Sequence, residues 1–246
     1  MISLFRKIRQ KLLAQNRVTR YLVYALGEIL LVVIGILIAL QVNNWNEENK
    51  TQQKEKLYLS RLKEDAKWNI DVLDSQIKFY QRNTMNLDSI GSFLSSGAPK
   101  NDNLKIPANP SFISAWKLKN STYTELVSSG TLGTLSDVKL REMLDEIASF
   151  ETITIRTLNY WRDLSVADAD LFRPYRIQET SIVNGDTVKT VSLNYEQMLG
   201  KREVIAGIQF WSFANQKFAA GIEEYKAYYI RLLERIECLE NNACSN

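Results

Sequence analysis

The stretch Tyr21–Val42, YLVYALGEILLVVIGILIALQV, holds one residue of charged type, Glu28, in twenty-two positions. As a helix rising about 1.5 Å per residue, it is long enough to cross a hydrocarbon core of roughly 30 Å. Tyr21, Tyr24 and Trp45 stand where aromatic belts form at the two interfaces. A buried helix of a soluble protein is the competing reading, and the flanks decide against it. Met1 to Arg20 carries six basic residues (Arg6, Lys7, Arg9, Lys11, Arg17, Arg20) and no acidic one, whereas Asn43 to Ser60 carries three Lys and three Glu. That bias keeps the N-terminus in the cytoplasm and exports the chain beyond Val42. A cleavable signal peptide has a shorter apolar region ending in small residues. LIALQVNNWNEE offers no such site, so the segment reads as a signal-anchor.

The charge of the remaining chain is explained by this division. The chain's net charge of +3 belongs to the tail, because the residues from Asn43 onward hold 25 basic and 27 acidic side chains. No basic stripe is present, which argues against nucleic acid as a partner. The absence of histidine removes the usual general base and the commonest metal ligand. No GxSxG motif or metal-ligand spacing appears, and the acidic pairs Asp145/Glu146 and Glu223/Glu224 read as solvated helix faces. The expectation is a non-enzymatic protein without cofactor or metal. In an oxidising compartment the two cysteines, Cys238 and Cys244, close a small terminal loop; in a reducing one they are free thiols.

Ahead of the span, Leu4, Phe5, Ile8, Leu12 and Leu13 share one helical face, with the cations mostly around the other. Such a segment suits the bilayer interface, its charges drawn to anionic headgroups. Within the span, a carboxyl at the depth of Glu28 costs about 2–3 kcal/mol on insertion. It is neutralised, reaches the headgroups, or finds a partner. Glu28 shares a face with Ala25, Val32, Gly35 and Ala39, and Gly35 with Ala39 forms a small-xxx-small pair that permits close helix approach. The pattern predicts a helix–helix contact with a second copy or with another membrane protein.

The exported part reads as helical. Leu59, Leu62, Ala66, Ile70, Leu73, Ile77, Tyr80, Thr84 and Leu87 recur at steps of three and four, with no Gly or Pro between Gly35 and Gly91. The membrane helix is therefore expected to run on into the domain. GAPKNDNLKIPANP, residues 97–110, is a loop by composition. Thr122 and Glu125 are spaced as a capping box, with Gly130 as the stop. Ser136 or Asp137 opens a further helix that Pro174 ends. Asn184-Gly185 between Ile182-Val183 and Val188 and Val191 predicts a β-hairpin. A last helix bears the stripe Val204, Ile208, Trp211, Phe218, Ile222, Tyr225, Tyr229, Leu232, Ile236 and Leu239, read as core and not as a ligand box. The expected fold is mainly α: one transmembrane helix (21–42) between a basic segment (1–20) and an extracytoplasmic antiparallel helical bundle with a small β-hairpin (43–246).

The runs FRKIRQKLL, YLVYALGEILLVVIGILIALQVNNWNEE and STYTELVSSGTLGTL resemble a family of uncharacterised bacterial single-pass membrane proteins, classed as a domain of unknown function. The resemblance implies a bacterial inner membrane and no activity. It marks Gly27, Glu28, Asn43, Asn44, Trp45 and Asn46 as the matching positions. GEILLVVIGILIAL is also similar, more loosely, to the first helix of type IV pilins and pseudopilins. Val23, however, stands where their processing needs a glycine. The functions expected are thus an anchored scaffold or sensory protein working through helix contacts or, in its place, a pilin-like assembly subunit, with an exported enzyme the third alternative.

Overall fold

The computed structural model describes residues 18–96, 109–183, 186–241 and 243–244. The amphipathic tail ahead of the span, most of the loop at 97–110 and the Asn184-Gly185 turn lie outside these residues. Helix α1 covers Val18–Ser96, 79 residues without a break. Two compact units divide the chain, Met1–Glu55 and Lys56–Asn246. The division falls near the start of the buried stripe of α1: among the side chains whose burial is described, the first one buried in it is Leu59.

In the second unit, helices α2 (Ser121–Ser128), α3 (Val138–Phe172), α4 (Tyr195–Met198) and α5 (Arg202–Glu240) pack with α1. Strands β1 (Arg176–Val183) and β2 (Asp186–Leu193) form an antiparallel pair between α3 and α4. The Val183–Asp186 pairing leaves a two-residue connection, as the Asn-Gly dipeptide predicts. The mainly helical fold with a small hairpin is therefore as expected.

Polar contacts fix the helix directions. Along α1 and α5, Lys63 meets Glu240 at 2.6 Å, Asp74 meets Lys226 at 2.7 Å, and the Ser212 hydroxyl donates to Asp88. Rising numbers on one helix meet falling numbers on the other, so the two are antiparallel. Between α3 and α5, Arg235 meets Asp137 at one end and the Trp211 indole donates to Asp168 at 3.0 Å at the other. Helix α5 thus runs against both α1 and α3, which run the same way.

A parallel pair needs a return connection, and residues 109–135 supply it. Ser111 donates to the Ser165 carbonyl at 3.0 Å, Ile113 enters the core cluster around Trp211, and Leu118 enters the cluster around Tyr225. The fully buried Asn69 clamps the end of this extended run. It donates to the Lys119 carbonyl at 2.9 Å and accepts from the Lys119 N–H at 2.8 Å. Phe218 packs against both clusters and joins them.

At the helix ends some local signals hold and others yield to distant partners. Asp137 caps α3 by accepting from the Leu140 N–H. Gly130, at φ 69°, follows α2, and the Gly130 and Thr131 N–H groups close on the Val127 and Leu126 carbonyls as in a Schellman motif. The capping box is not formed. Thr122 lies inside α2 and its hydroxyl donates to Asp65 on α1 at 2.6 Å, while Glu125 takes Arg61 at 2.7 Å. Partners distant in sequence outcompete the local cap. At the far end, Gly207 lets α5 approach α3: a Cβ there would lie 2.6 Å from Leu171 Cδ2.

The Arg235 guanidinium holds the Asp137 carboxyl below its usual range, against an opposing effect of burial. A depressed carboxylate stabilises the fold fully above the unfolded value, about 4, and less as pH falls through the lower folded value. Asp137→Ala is expected to destabilise the protein at pH 7 by more than the about 1 kcal/mol of a lost cap, because Arg235 also loses its partner. Chemical unfolding at pH 7 and below 4 should show the difference from wild type shrinking at the lower pH.

Candidate functional site

The site expected from sequence lies on the first unit. Every residue from Leu26 to Glu48 is exposed. An 18-residue window of this helix reaches a mean hydropathy of 2.5 with none of it buried. It is long and apolar enough to span a membrane. The backbone explains why a helix suits such a segment: each interior N–H and C=O is satisfied within it, as a lipid environment requires.

At about 100° per residue, Glu28, Val32, Gly35 and Ala39 fall on one face of α1, as predicted. No break in the helix occurs after Val42, so the same geometry places the following residues too. Asn46 returns to the angle of Glu28, eighteen residues or about 27 Å along the axis. Asn43 lies on the same side, whereas Trp45 is about a quarter-turn away and Asn44 is nearly opposite. The Asn-Asn-Trp-Asn run therefore does not share one helix face. Two of its members extend the Glu28 face and two do not. The resulting strip has polar groups near both ends and small residues in the middle. At Gly35 a Cβ would meet nothing within 4 Å, so its lack of a side chain answers no contact within the chain. Just past the strip, Glu47 and Lys50 pair at 2.9 Å on the exposed surface.

Cys238 and Cys244 are joined, their Cα atoms 5.2 Å apart. The closed loop follows the last turn of α5, where the Ala243 N–H donates to the Cys238 carbonyl at 3.0 Å.

In the second unit the acidic pairs singled out from sequence lie on the surface. Asp145 and Glu146, and Glu223 and Glu224, are exposed, and Asp145 accepts from the Tyr123 hydroxyl at 2.6 Å. Burial pushes the Tyr80 and Tyr229 hydroxyls up to about 12, and that of Tyr225 further, which holds these phenols neutral. Among the described residues no three His, Cys, Asp or Glu side chains are grouped to hold a metal ion. Most of the α5 stripe is core, as read. Phe218, however, also lines an open groove with Trp116 and Lys217, residues that periodicity gave no reason to connect.

The chain belongs to DUF6090, a family of unknown function whose profile matches residues 28–212. The match begins at Glu28 and takes in the whole polar-ended strip and most of the folded unit. No curated protein and no solved structure matches it.

A chain beginning at Lys56 lacks the bare apolar surface and keeps every core residue. In a detergent phase-separation assay the full chain is expected in the detergent-rich phase and residues 56–246 in the aqueous phase. Full-length protein in the aqueous phase would contradict the apolar assignment.

Proposed function

We propose that this protein is a membrane-anchored, non-enzymatic interaction protein that self-associates through the face of α1 bearing Glu28, Val32, Gly35, Ala39, Asn43 and Asn46. Residues 1–20 lie on the cytoplasmic side of a bacterial inner membrane, residues 21–42 cross it, and the helical unit is exported. The basic tail and the small net charge beyond it support this orientation. The Cys238–Cys244 bond suits an oxidising compartment. The bilayer covers most of the apolar helix surface and the second copy covers one strip of it.

The observation that carries this reading is the composition of one strip. Six positions on a bare apolar helix combine a carboxyl, two asparagines and a glycine, the residue types that lipid rewards least and a neighbouring helix rewards most. Insertion gives all copies one orientation, so a two-fold pair sets Glu28 against Glu28 and Asn46 against Asn46. Small residues between them let the backbones close. A bulky side chain at Gly35 would hold the helices apart along the whole strip, whereas loss of the Glu28 carboxyl removes one hydrogen bond of about 1 kcal/mol.

Native mass measurement of the complex released from membranes in mild detergent tests this. Wild type is expected as a defined oligomer, Gly35→Leu as a monomer, and Glu28→Leu as an oligomer about five- to tenfold weaker. A lone monomer for wild type would defeat the proposal. So would a wild-type complex with a different protein and no second copy, which would assign the face to that partner instead.

A further inference from the structure

Helices α3 and α5 leave an open groove of about 270 Å³ between them, closed at one side by the extended run before α2. Its walls are Trp116, Phe150, Ile153, Leu158, Trp161 and Phe218. The groove is built of rigid rings: Trp161 meets Phe218 edge-on at 5.4 Å, and Phe150 lies 4.9 Å from Tyr225. Its apolar lining is not sealed from water, since Ile153 is 59% exposed. Gly221 borders the groove, and a Cβ placed there would meet nothing within 4 Å. A larger side chain at that position would fill the space, and the sequence keeps it empty.

The polar groups are few and of one sign. Lys217 is the one charged residue among those lining the groove. Its ammonium lies over the neighbouring Phe213 ring at 5.2 Å. Thr154 and Thr157 add two hydroxyls on the facing helix, one turn apart. The Trp116 indole N–H is buried and has no acceptor among the described residues. A concave aromatic surface with one cation and no carboxylate selects against cationic ligands. A saccharide would want the paired carboxylate, amide and guanidinium groups that this lining lacks.

We propose that the groove binds a small anionic amphiphile, a medium-length aliphatic or arylaliphatic carboxylate, with its apolar body against Trp116, Phe150, Ile153, Trp161 and Phe218 and its head on Lys217. The size is at the small end of ligand pockets, which limits the body to a short chain or a single ring system. Because the groove lies wholly within the second unit, the site does not depend on the membrane face of α1.

The probe is octanoate bearing a terminal photoreactive diazirine, applied to the full-length protein in lipid nanodiscs, with labelled positions mapped by mass spectrometry. Labels are expected at 153–161 on α3 and 214–222 on α5. Excess octanoate should suppress them, and octyltrimethylammonium of the same chain length should not. Lys217→Glu is expected to lower groove labelling roughly tenfold by reversing the charge met by the head. Gly221→Leu should abolish labelling while leaving the thermal unfolding midpoint no lower than wild type. Labels confined to residues 22–42 would reduce the finding to partition into lipid and overturn the site. So would equal competition by the cation, groove labelling unchanged in both variants, or cross-links joining the groove of one copy to another copy.

Discussion

Thirteen Leu, Ile and Val side chains between Leu22 and Val42 are 46–72% exposed, and none of the described residues covers them. At about 1.5–3 kcal/mol for burying each such side chain, the hydration cost is on the order of 20 kcal/mol. Folding of the second unit, worth only about 5–15 kcal/mol in total, leaves these side chains as exposed as the unfolded chain does and cannot recover that cost. A bilayer can. The same constraint makes the polar strip conspicuous: Glu28 lies inside the apolar segment, where lipid would deny it water as a partner, while Asn43 and Asn46 stand just past its end on the same side of the helix. The helix that solves the backbone problem also sets the spacing of these groups.

The second unit solves a different problem, how to let two long helices run in the same direction. A hairpin of helices would need only a short turn. Here the chain has to travel back from the end of α1 to the start of α3, and an extended strip would leave its peptide groups unpaired. Asn69 meets both groups of Lys119 and Ser111 reaches the Ser165 carbonyl, so the strip is tied at both ends. The Asp137–Arg235 pair then locks the start of α3 to the end of α5 beside the Cys238–Cys244 loop.

Much of this was legible in the residues themselves, for reasons that differ by element. The stripes of α1 and α5 follow a 3.6-residue period because each buries one continuous face. Asp137 acts on its immediate neighbours, so its role can be read locally, and the strands that pair at Val183 and Asp186 flank a dipeptide whose type is a local hairpin signal. Thr122 could not be read that way, because its hydroxyl answers Asp65, fifty-seven residues earlier. The shared direction of α1 and α3 was hidden as well. It is set by residues 109–120, which follow no period and are held by side chains from elsewhere. The strip on α1 was half visible: Glu28, Gly35 and Ala39 stand out within the apolar run, while Asn43 and Asn46 join them only because the helix continues unbroken past Val42. Lys217 and Trp116 are brought together across a hundred residues of chain, a distance no spacing argument covers.

Self-association through one face of α1 is tested most directly by a cysteine scan. Single cysteines at positions 28 to 46, in a chain with Cys238 and Cys244 replaced by serine, would be oxidised in native membranes and read as covalent dimers on a gel. Dimer yield should rise and fall with the helical period, with maxima at 28, 32, 35, 39, 43 and 46 and minima at 30, 37 and 44. A flat profile, or maxima on the opposite side of the helix, would contradict the assignment of that face.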